Sequence, residues 1–501
     1  MSTNTAKLEN ETAIIVLGAS GDLARKKTFP ALLRLYIHGD LPKDTFILGY
    51  ARTKMSQEEF HQRISEHFNN GTDEEKKQFL SKCRYISGQY DDVASFENLN
   101  KEITEWEDER GGENRNRIFY FALPPNVFVP VSKHLRKVCY SENGVNRVVV
   151  EKPFGRDLES CQKMLEEMKS MWAEKETYRI DHYLGKEMIK NIIPLRFGNA
   201  FIDHMLNSWM VDNVQITFKE PFGTDGRGGY FDKFGIIRDI QQNHLCQVFS
   251  LLAMDEPTDF SSEAIRDAKV KLLRSVRPIS LEDVLLGQYV AANGKPGYKD
   301  DDTVPDDSNT PTFAALVLHV DNYRWRGVPF IMKAGKALDE GKVEIRIQFR
   351  DLDHKLDDKL ERNELVMRVQ PGEALYIMIN AKIPGKASAT VPVELDLTYK
   401  NRFQGYYIPE AYEALILDCI NGEHSNFVRD DELEASWSIF TPLLHAIDAG
   451  RVPCKPYEYG SRGPEELNDF IGKFGYRRPE NYNWPETNVQ ELCANSESPE
   501  E

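Results

Sequence analysis

Ten residues, Tyr178-Arg179-Ile180-Asp181-His182-Tyr183-Leu184-Gly185-Lys186-Glu187, concentrate an unusual amount of chemistry. Two carboxylates, a histidine, two tyrosines, an arginine and a lysine surround one glycine. Cations in that density can grip a phosphate. A carboxylate or imidazole beside them can orient or move a proton. The stretch is therefore suited to a phosphorylated, hydroxyl-rich ligand. It lies where the sequence changes character, and we expect it at the seam of two domains.

Upstream, Ala13-Ile-Ile-Val-Leu-Gly-Ala-Ser-Gly-Asp-Leu-Ala24 reads as a β-branched strand and a glycine turn. A helix with apolar residues Phe29, Leu32, Leu33, Tyr36 and Ile37 follows. Gly18 and Gly21 permit close backbone approach, and a helix start offers free N–H groups to an anion. The turn is Gly-x-x-Gly, neither the G-x-G-x-x-G fingerprint nor a P-loop, so an ordinary strand-to-helix turn stands as its alternative. Phe46-Ile-Leu-Gly-Tyr50 predicts the second strand, with Arg52 just past its end. An acidic residue there suits NAD, and an arginine accommodates the 2′-phosphate of NADP. Two more apolar runs end in Pro124-Pro125 and in Glu151-Lys152-Pro153. Those ends are where ligands bind in open α/β sheets, although a charge after a valine run also simply marks strand exit. Lys152, before a proline, should be extended, with either peptide isomer open.

The elements that position these groups divide the chain. Up to about residue 180 the pattern is strand, turn, helix, with charged amphipathic helices over 54–116, a helix from Asp157 to Glu176 and another from Lys186 to about Leu195. From residue 210 strands alternate with period two (Val214–Lys219, Val343–Phe349, Leu365–Gln370, Glu394–Tyr399), which predicts a large antiparallel sheet with one wet face. Between them a helix spans Gly235 to Met254. Its periodicity puts His244 on the packed stripe with Ile240, Gln247, Val248 and Leu251, and Asp239 on a neighbouring one. A satisfied core histidine is the plain alternative. The acidic stretch 299–310 lacks the spacing and glycine of a calcium loop and reads as solvated.

The bulk numbers agree with a globular chain: 501 residues, 41% apolar and 29% charged. A net charge of −17 disfavours non-specific nucleic-acid binding. Seven dispersed cysteines without a C-x-x-C pair read as reduced cytosolic thiols rather than a zinc site. No stretch has the composition of a membrane span or a signal peptide. We expect a cytoplasmic protein.

Several blocks together resemble the glucose-6-phosphate dehydrogenase family: Gly18-Ala-Ser-Gly-Asp-Leu-Ala24, Glu151-Lys-Pro-Phe-Gly155, Arg179-Ile-Asp-His-Tyr-Leu-Gly-Lys186, Gly228-Gly-Tyr-Phe231, Gly235-Ile-Ile-Arg-Asp-Ile-Gln-Gln-Asn-His244, Gly335-Lys-Ala337 and Tyr459-Gly-Ser-Arg-Gly463. The resemblance implies a Rossmann-like NADP domain (1–180), a β+α substrate and dimerisation domain with a large antiparallel sheet (181–485), and a polar tail (486–501). It implies oxidation of glucose 6-phosphate at C1 to the 6-phosphogluconolactone, with hydride transfer to NADP, at the entry of the oxidative pentose phosphate pathway.

The resemblance makes His244 the general base and Asp181 its carboxylate partner, with no metal. It places substrate on Lys152, His182, Tyr183, Lys186, Glu220, Asp239, Lys336 and Gln370. Coenzyme falls to Gly18, Ala19, Ser20, Gly21, Asp22, Leu23, Ala24, Arg25, Arg52 and again Lys152. Animal members hold a second, structural NADP. The matching positions here are Lys333, Lys342, Arg346, Arg368, Tyr376, Arg462 and Trp484. Three positions depart from the animal pattern: Gly341 and Met378 replace an arginine and a lysine, and Arg478 a tyrosine. Assembly as a homodimer or homotetramer is implied. The alternatives are an inactive sugar-phosphate or NADPH sensor, or a relative using other hexoses.

Overall fold

The computed structural model describes residues 6–112, 115–352, 360–384 and 390–478. Trp484 and the tail from residue 486 lie outside the described residues. The chain forms two compact units. Unit 1 comprises Met1–Lys190, Pro257–Val270 and Ile408–Trp437, and unit 2 comprises Asn191–Glu256, Lys271–Tyr407 and Ser438–Glu501. Among the described residues no helix is long and apolar enough to cross a membrane.

Unit 1 is built on a six-stranded sheet: β1 (Thr12–Leu17), β2 (Thr45–Ala51), β3 (Cys83–Ser87), β4 (Asn116–Phe121), β5 (Asn146–Val150) and β6 (Thr177–Arg179), in the order β3-β2-β1-β4-β5-β6. Every pairing is parallel. β1, β2 and β5 are buried along their whole length. Strands covered on both faces carry near-continuous apolar runs, which is why Ile14-Ile15-Val16-Leu17 and Val148-Val149-Val150 read clearly. The register levels Tyr50, Leu17, Phe121, Val150 and Arg179 in one row across five strands. Whatever follows each strand therefore shares one edge, and the strand order reverses between β1 and β4, where such sheets open a crevice.

Two later segments return to unit 1. Arg34 donates to Glu413 at 2.8 Å with both side chains nearly buried, and Trp437 Nε1 donates to the Phe154 carbonyl at 2.9 Å. Lys269 and Glu432 form a fully buried pair at 2.8 Å. Removing one partner of such a pair strands a charge and costs about 3–5 kcal/mol. The returns are thus firmly attached, although their sequence carries no nucleotide-domain pattern.

Unit 2 holds a nine-stranded sheet: β7 (Val211–Lys219), β8 (Val284–Val290), β9 (Phe313–His319), β10 (Pro329–Gly335), β11 (Lys342–Phe349), β12 (Glu364–Gln370), β13 (Ala374–Lys382), β14 (Thr390–Thr398) and β15 (Lys455–Glu458). Its order is β14-β13-β12-β11-β7-β10-β9-β8-β15. The sheet is mainly antiparallel, as expected, with two parallel pairings, β7 with β10 and β8 with β15. β8, β9, β10, β13 and β15, like β3 in unit 1, were not anticipated. β9 and β10 are buried on both faces and lack alternation.

Three helices also differ from expectation. The helix begun at Asp157 stops at Lys169, and buried Trp172 packs on Phe119 as the chain turns toward β6. The helix begun at Lys186 divides into Glu187–Lys190 and Ile192–Phe197. The segment over 235–254 is helical as expected, but its first part, Ile237–Leu245, is wound as a wide π-helix before Cys246–Ala253 continues as α. π-turns of this kind recur at functional sites.

Candidate active site

In unit 1 the candidates fall on the shared strand-end edge. Gly18 has φ +86° and donates to the Tyr50 carbonyl at 2.8 Å. A Cβ there would stand 2.1 Å from the Ala122 carbonyl oxygen, so only glycine fits. The turn closes with Gly21 N–H donating to Gly18 O at 2.9 Å. Ser20 Oγ lies 3.2 Å from Thr53 Oγ1, and Arg63 Nε donates to Ser20 O at 3.0 Å. Arg25 bonds Asp22 at 2.7 Å and Glu66 at 2.6 Å. Arg52 is exposed and lies over the Tyr90 ring at 5.3 Å. This cradle admits a bare backbone, and cations flank it, as a dinucleotide phosphate requires.

Glu151 and Lys152 follow β5 directly, and the Lys152–Pro153 bond is cis. Glu151 is buried and accepts from Tyr120 Oη at 2.7 Å. Burial pushes its carboxyl up to about 7, against the pull of Tyr120 and Lys152. Asp181 is 3% exposed and caps the next turn by accepting from Tyr183 N–H at 3.0 Å. That 3₁₀ turn, His182–Gly185, carries His182 and Tyr183, and Lys186 caps its C-terminal end. The His182 ring lies parallel to Tyr412 with centroids 5.9 Å apart, and Lys186 Nζ sits 4.9 Å from the Tyr183 ring centre. A Cβ at Gly185 would meet Ala411 O at 2.3 Å, so the returning helix Ala411–Asn421 requires glycine there.

In unit 2 the candidates are gathered by sheet register. Gly335 pairs with Lys219 and Lys219 with Lys342, while Val343 pairs with Gln370. Glu220, Lys336, Gly341 and Gln370 therefore lie at neighbouring strand ends. Lys336 Nζ donates to Glu220 at 2.5 Å and stands 3.9 Å from Asp239. Phe231 and Phe222 flank that ammonium at 5.3 and 6.0 Å. A side chain at Gly341 would meet Pro221 at 3.3 Å, and the animal arginine has no counterpart at this position. His244 is 1% exposed, on the π-helix. Gln241 fixes that helix to the sheet through Ala314 O at 3.0 Å and Met332 O at 3.2 Å. Arg196 caps its far end through Leu251 O and Met254 O at 3.1 and 2.7 Å.

Unit 2 also contains a cavity of about 300 Å³ on the sheet. Lys333, Lys342, Arg346, Arg368, Tyr376 and Arg462 line it, together with Lys219, Tyr476 and Arg478. Met378 is buried in β13. Glu344 is drawn down to about 2: burial raises it, but Arg346, Lys342 and Arg368 outweigh that. Burial, with Lys219 and Arg346 adding repulsion, lowers Lys333 to about 7.

The chain matches two family models end to end. The glucose-6-phosphate dehydrogenase NAD binding domain covers residues 15–191 and the glucose-6-phosphate dehydrogenase C-terminal domain covers 193–484. The chain belongs to the glucose-6-phosphate dehydrogenase family. A glucose-6-phosphate 1-dehydrogenase of Emericella nidulans is 55% identical over 97% of this chain and 96% of its own length. That of Saccharomyces cerevisiae is 49% identical over 99% and 100%. A solved glucose-6-phosphate dehydrogenase in complex with its substrate superposes with a TM-score of 0.92 at 48% identity, over 95% of this chain and all of that one. This enzyme is thus an NADP-dependent oxidoreductase that converts glucose 6-phosphate to 6-phosphogluconolactone.

Sequence inspection missed Glu151 with Tyr120, Tyr412, Phe222 and Phe231 around the candidates. Glu151 stood in plain view beside Lys152, but only its burial separates it from a strand-exit charge. Tyr120 and Tyr412 had no local signal at all.

Proposed function

We propose that the enzyme divides the reaction between the Asp181 turn and the π-helix. His244 takes the proton of the C1 hydroxyl, and Asp181 orients the imidazole and balances the charge it gains. His182, Tyr183 and Lys186 hold the 6-phosphate. Glu220 and Asp239 accept sugar hydroxyls, with Lys336 and Gln370 completing the sugar end and Lys152 serving sugar and coenzyme together. NADP supplies the hydride acceptor. Gly18 to Arg25 would hold its pyrophosphate, and Arg52 its 2′-phosphate. The observation that carries this reading is the Asp181-capped turn, which presents His182, Tyr183 and Lys186 as one unit.

The assay is NADPH absorbance with purified enzyme, NADP, and either glucose 6-phosphate or free glucose. Turnover strongly favouring the phosphate is expected. Equal use of both sugars would refute the phosphate grip, and no NADPH would refute the base.

We propose that the sheet cavity holds a second, structural NADP: its lysines and arginines would take the phosphates, and Tyr376 and Tyr476 also line it. Equilibrium dialysis should find two NADP per chain, one of them lost in Lys342→Gln/Arg462→Ala. One equivalent in the parent enzyme rejects the second site. The exposed Leu395, Phe403 and Tyr406 on and after edge strand β14 support a homodimer or homotetramer, and the buried free thiols support a cytoplasmic setting.

A further inference from the structure

The backbone around Lys336 is held from an unexpected direction. Ala337, the next residue, has φ +53°, a left-handed conformation that a non-glycine residue adopts only when its surroundings enforce it. Three restraints do so. Ala337 N–H donates to Phe222 O at 2.8 Å, and its carbonyl accepts from Gly460 N–H at 2.8 Å. The third is a side chain: Tyr457 Oη donates to the Lys336 carbonyl at 2.7 Å, from the short edge strand β15. This bond constrains the peptide between Lys336 and Ala337. The same hydroxyl lies 2.9 Å from Thr312 Oγ1, and Thr312 O accepts from Lys336 N–H at 3.0 Å. Tyr457 is 4% exposed and wedged against Tyr289 and Phe313. A Cβ at Gly287 would come within 2.9 Å of it, so its neighbour on β8 is shaped to admit the ring.

We propose that Tyr457 is a positioning residue for sugar binding, locking the strained Lys336–Ala337 peptide so that Lys336 stays between Glu220 and Asp239. It touches neither sugar nor coenzyme in this scheme and acts only through Lys336. A strained peptide has a relaxed alternative close in energy. Without the hydroxyl, Ala337 relaxes from its left-handed conformation, and the Lys336 ammonium leaves the Glu220–Asp239 pair. The proposal rests on Lys336 serving the substrate, as set out above.

The test compares Tyr457→Phe, Thr312→Val, Lys336→Gln and Ala337→Gly, alone and with Tyr457→Phe, by KM for each substrate, kcat and thermal midpoint. Losing one such hydrogen bond should raise KM for glucose 6-phosphate about fivefold in Tyr457→Phe. KM for NADP should stay within about twofold, since Lys336 serves the sugar end only. Thr312→Val disturbs the same buried spot but keeps the Tyr457–Lys336 bond, and should raise KM less. It also supplies a folded comparison if Tyr457→Phe proves too unstable to assay. Glycine adopts a left-handed conformation freely, so Tyr457→Phe/Ala337→Gly should regain most of the lost affinity. A purely structural tyrosine would give additive losses in the double variant, equal losses for both substrates, or equal damage in Thr312→Val, and any of these overturns the proposal. An unaltered KM in Lys336→Gln would overturn the assignment of Lys336 itself. A defect in Lys336→Gln without one in Tyr457→Phe would overturn the lock alone.

Discussion

Unit 1 and unit 2 both gather polar side chains at strand ends, but by different means. In unit 1 most candidates are contiguous: Gly18 to Arg25 form a turn and helix start, and Asp181 to Lys186 another turn, with Arg52 and Lys152 standing singly after β2 and β5. Their geometry follows from local hydrogen bonds, a glycine of positive φ and a capping carboxylate. In unit 2 the candidates are dispersed along the chain: Glu220, Lys336 and Gln370 are brought together by register across β7, β10, β11 and β12, while Asp239 and His244 share the π-helix that Gln241 fixes to the sheet. A contiguous site should be most sensitive to backbone geometry, and a register-built site to the loss of individual chemical groups.

The largest expected effect tests the register-built site by deleting one group. His244→Asn preserves size and polarity but cannot take a proton at neutral pH. We expect kcat to fall by about 10³–10⁴-fold with KM for glucose 6-phosphate little changed. Stopped-flow and steady-state NADPH absorbance measure it, and turnover within tenfold of the parent would remove His244 from its role.

The contiguous site should break instead by a methyl group. Gly18→Ala forces a Cβ to within 2.1 Å of the Ala122 carbonyl oxygen at a φ of +86°. Backbone must move, and the turn that cradles the pyrophosphate moves with it. We expect KM for NADP to rise at least about 100-fold, comparable to a loss of about 3 kcal/mol of binding. KM for glucose 6-phosphate should change far less. Near-normal NADP affinity would mean that the turn is not the coenzyme cradle.

The contrast also explains what could be read in the sequence. Contiguous chemistry is visible as a motif, so the Asp181 turn, the glycine turn and Arg52 stood out before any fold was known. The parallel core of unit 1 was legible because strands buried on both faces are written as unbroken apolar runs. Register-built chemistry is invisible in one dimension: Lys336 and Gln370 came only through family resemblance, and Glu220 is an ordinary charge after a strand. The two returns to unit 1 were missed for the same reason. Arg34–Glu413 and Lys269–Glu432 are long-range pairs without local pattern. Nor does periodicity reveal that β7 and β10 run parallel, because it reports faces and not direction.

The return segment also qualifies the local character of unit 1, and pH can probe it. His424 stacks on Tyr178 with ring centroids 4.0 Å apart, and among the described residues neither ring nitrogen has a hydrogen-bond partner. Burial, then the Arg266 and Arg147 cations, lowers it to about 4. The folded state therefore refuses a proton that the unfolded chain binds below about 6.5. The stability His424 confers is present above that pH and is lost as pH falls toward 4. At pH 5 the loss should be about 2 kcal/mol. His424→Phe keeps the stack without the titration, so its thermal midpoint should fall less than the parent's between pH 7.5 and 5. Parallel slopes would show that the segment's attachment does not depend on a neutral His424.

The smallest effect should come from an exposed side chain in the otherwise geometry-driven site. Arg52 is exposed, stands beyond β2 and lies over the Tyr90 ring. Removing it should leave the Gly18 turn intact. What disappears is one charge-assisted contact to the 2′-phosphate, worth about 1.5–3 kcal/mol. Arg52→Ala should therefore raise KM for NADP by about tenfold or more while the weak reaction with NAD, which has no such phosphate, stays within about twofold. If both coenzymes suffer equally, Arg52 shapes the turn rather than reading the phosphate. The contiguous site would then be set by backbone geometry throughout, with coenzyme choice resting on Ser20, Arg25 or Thr53.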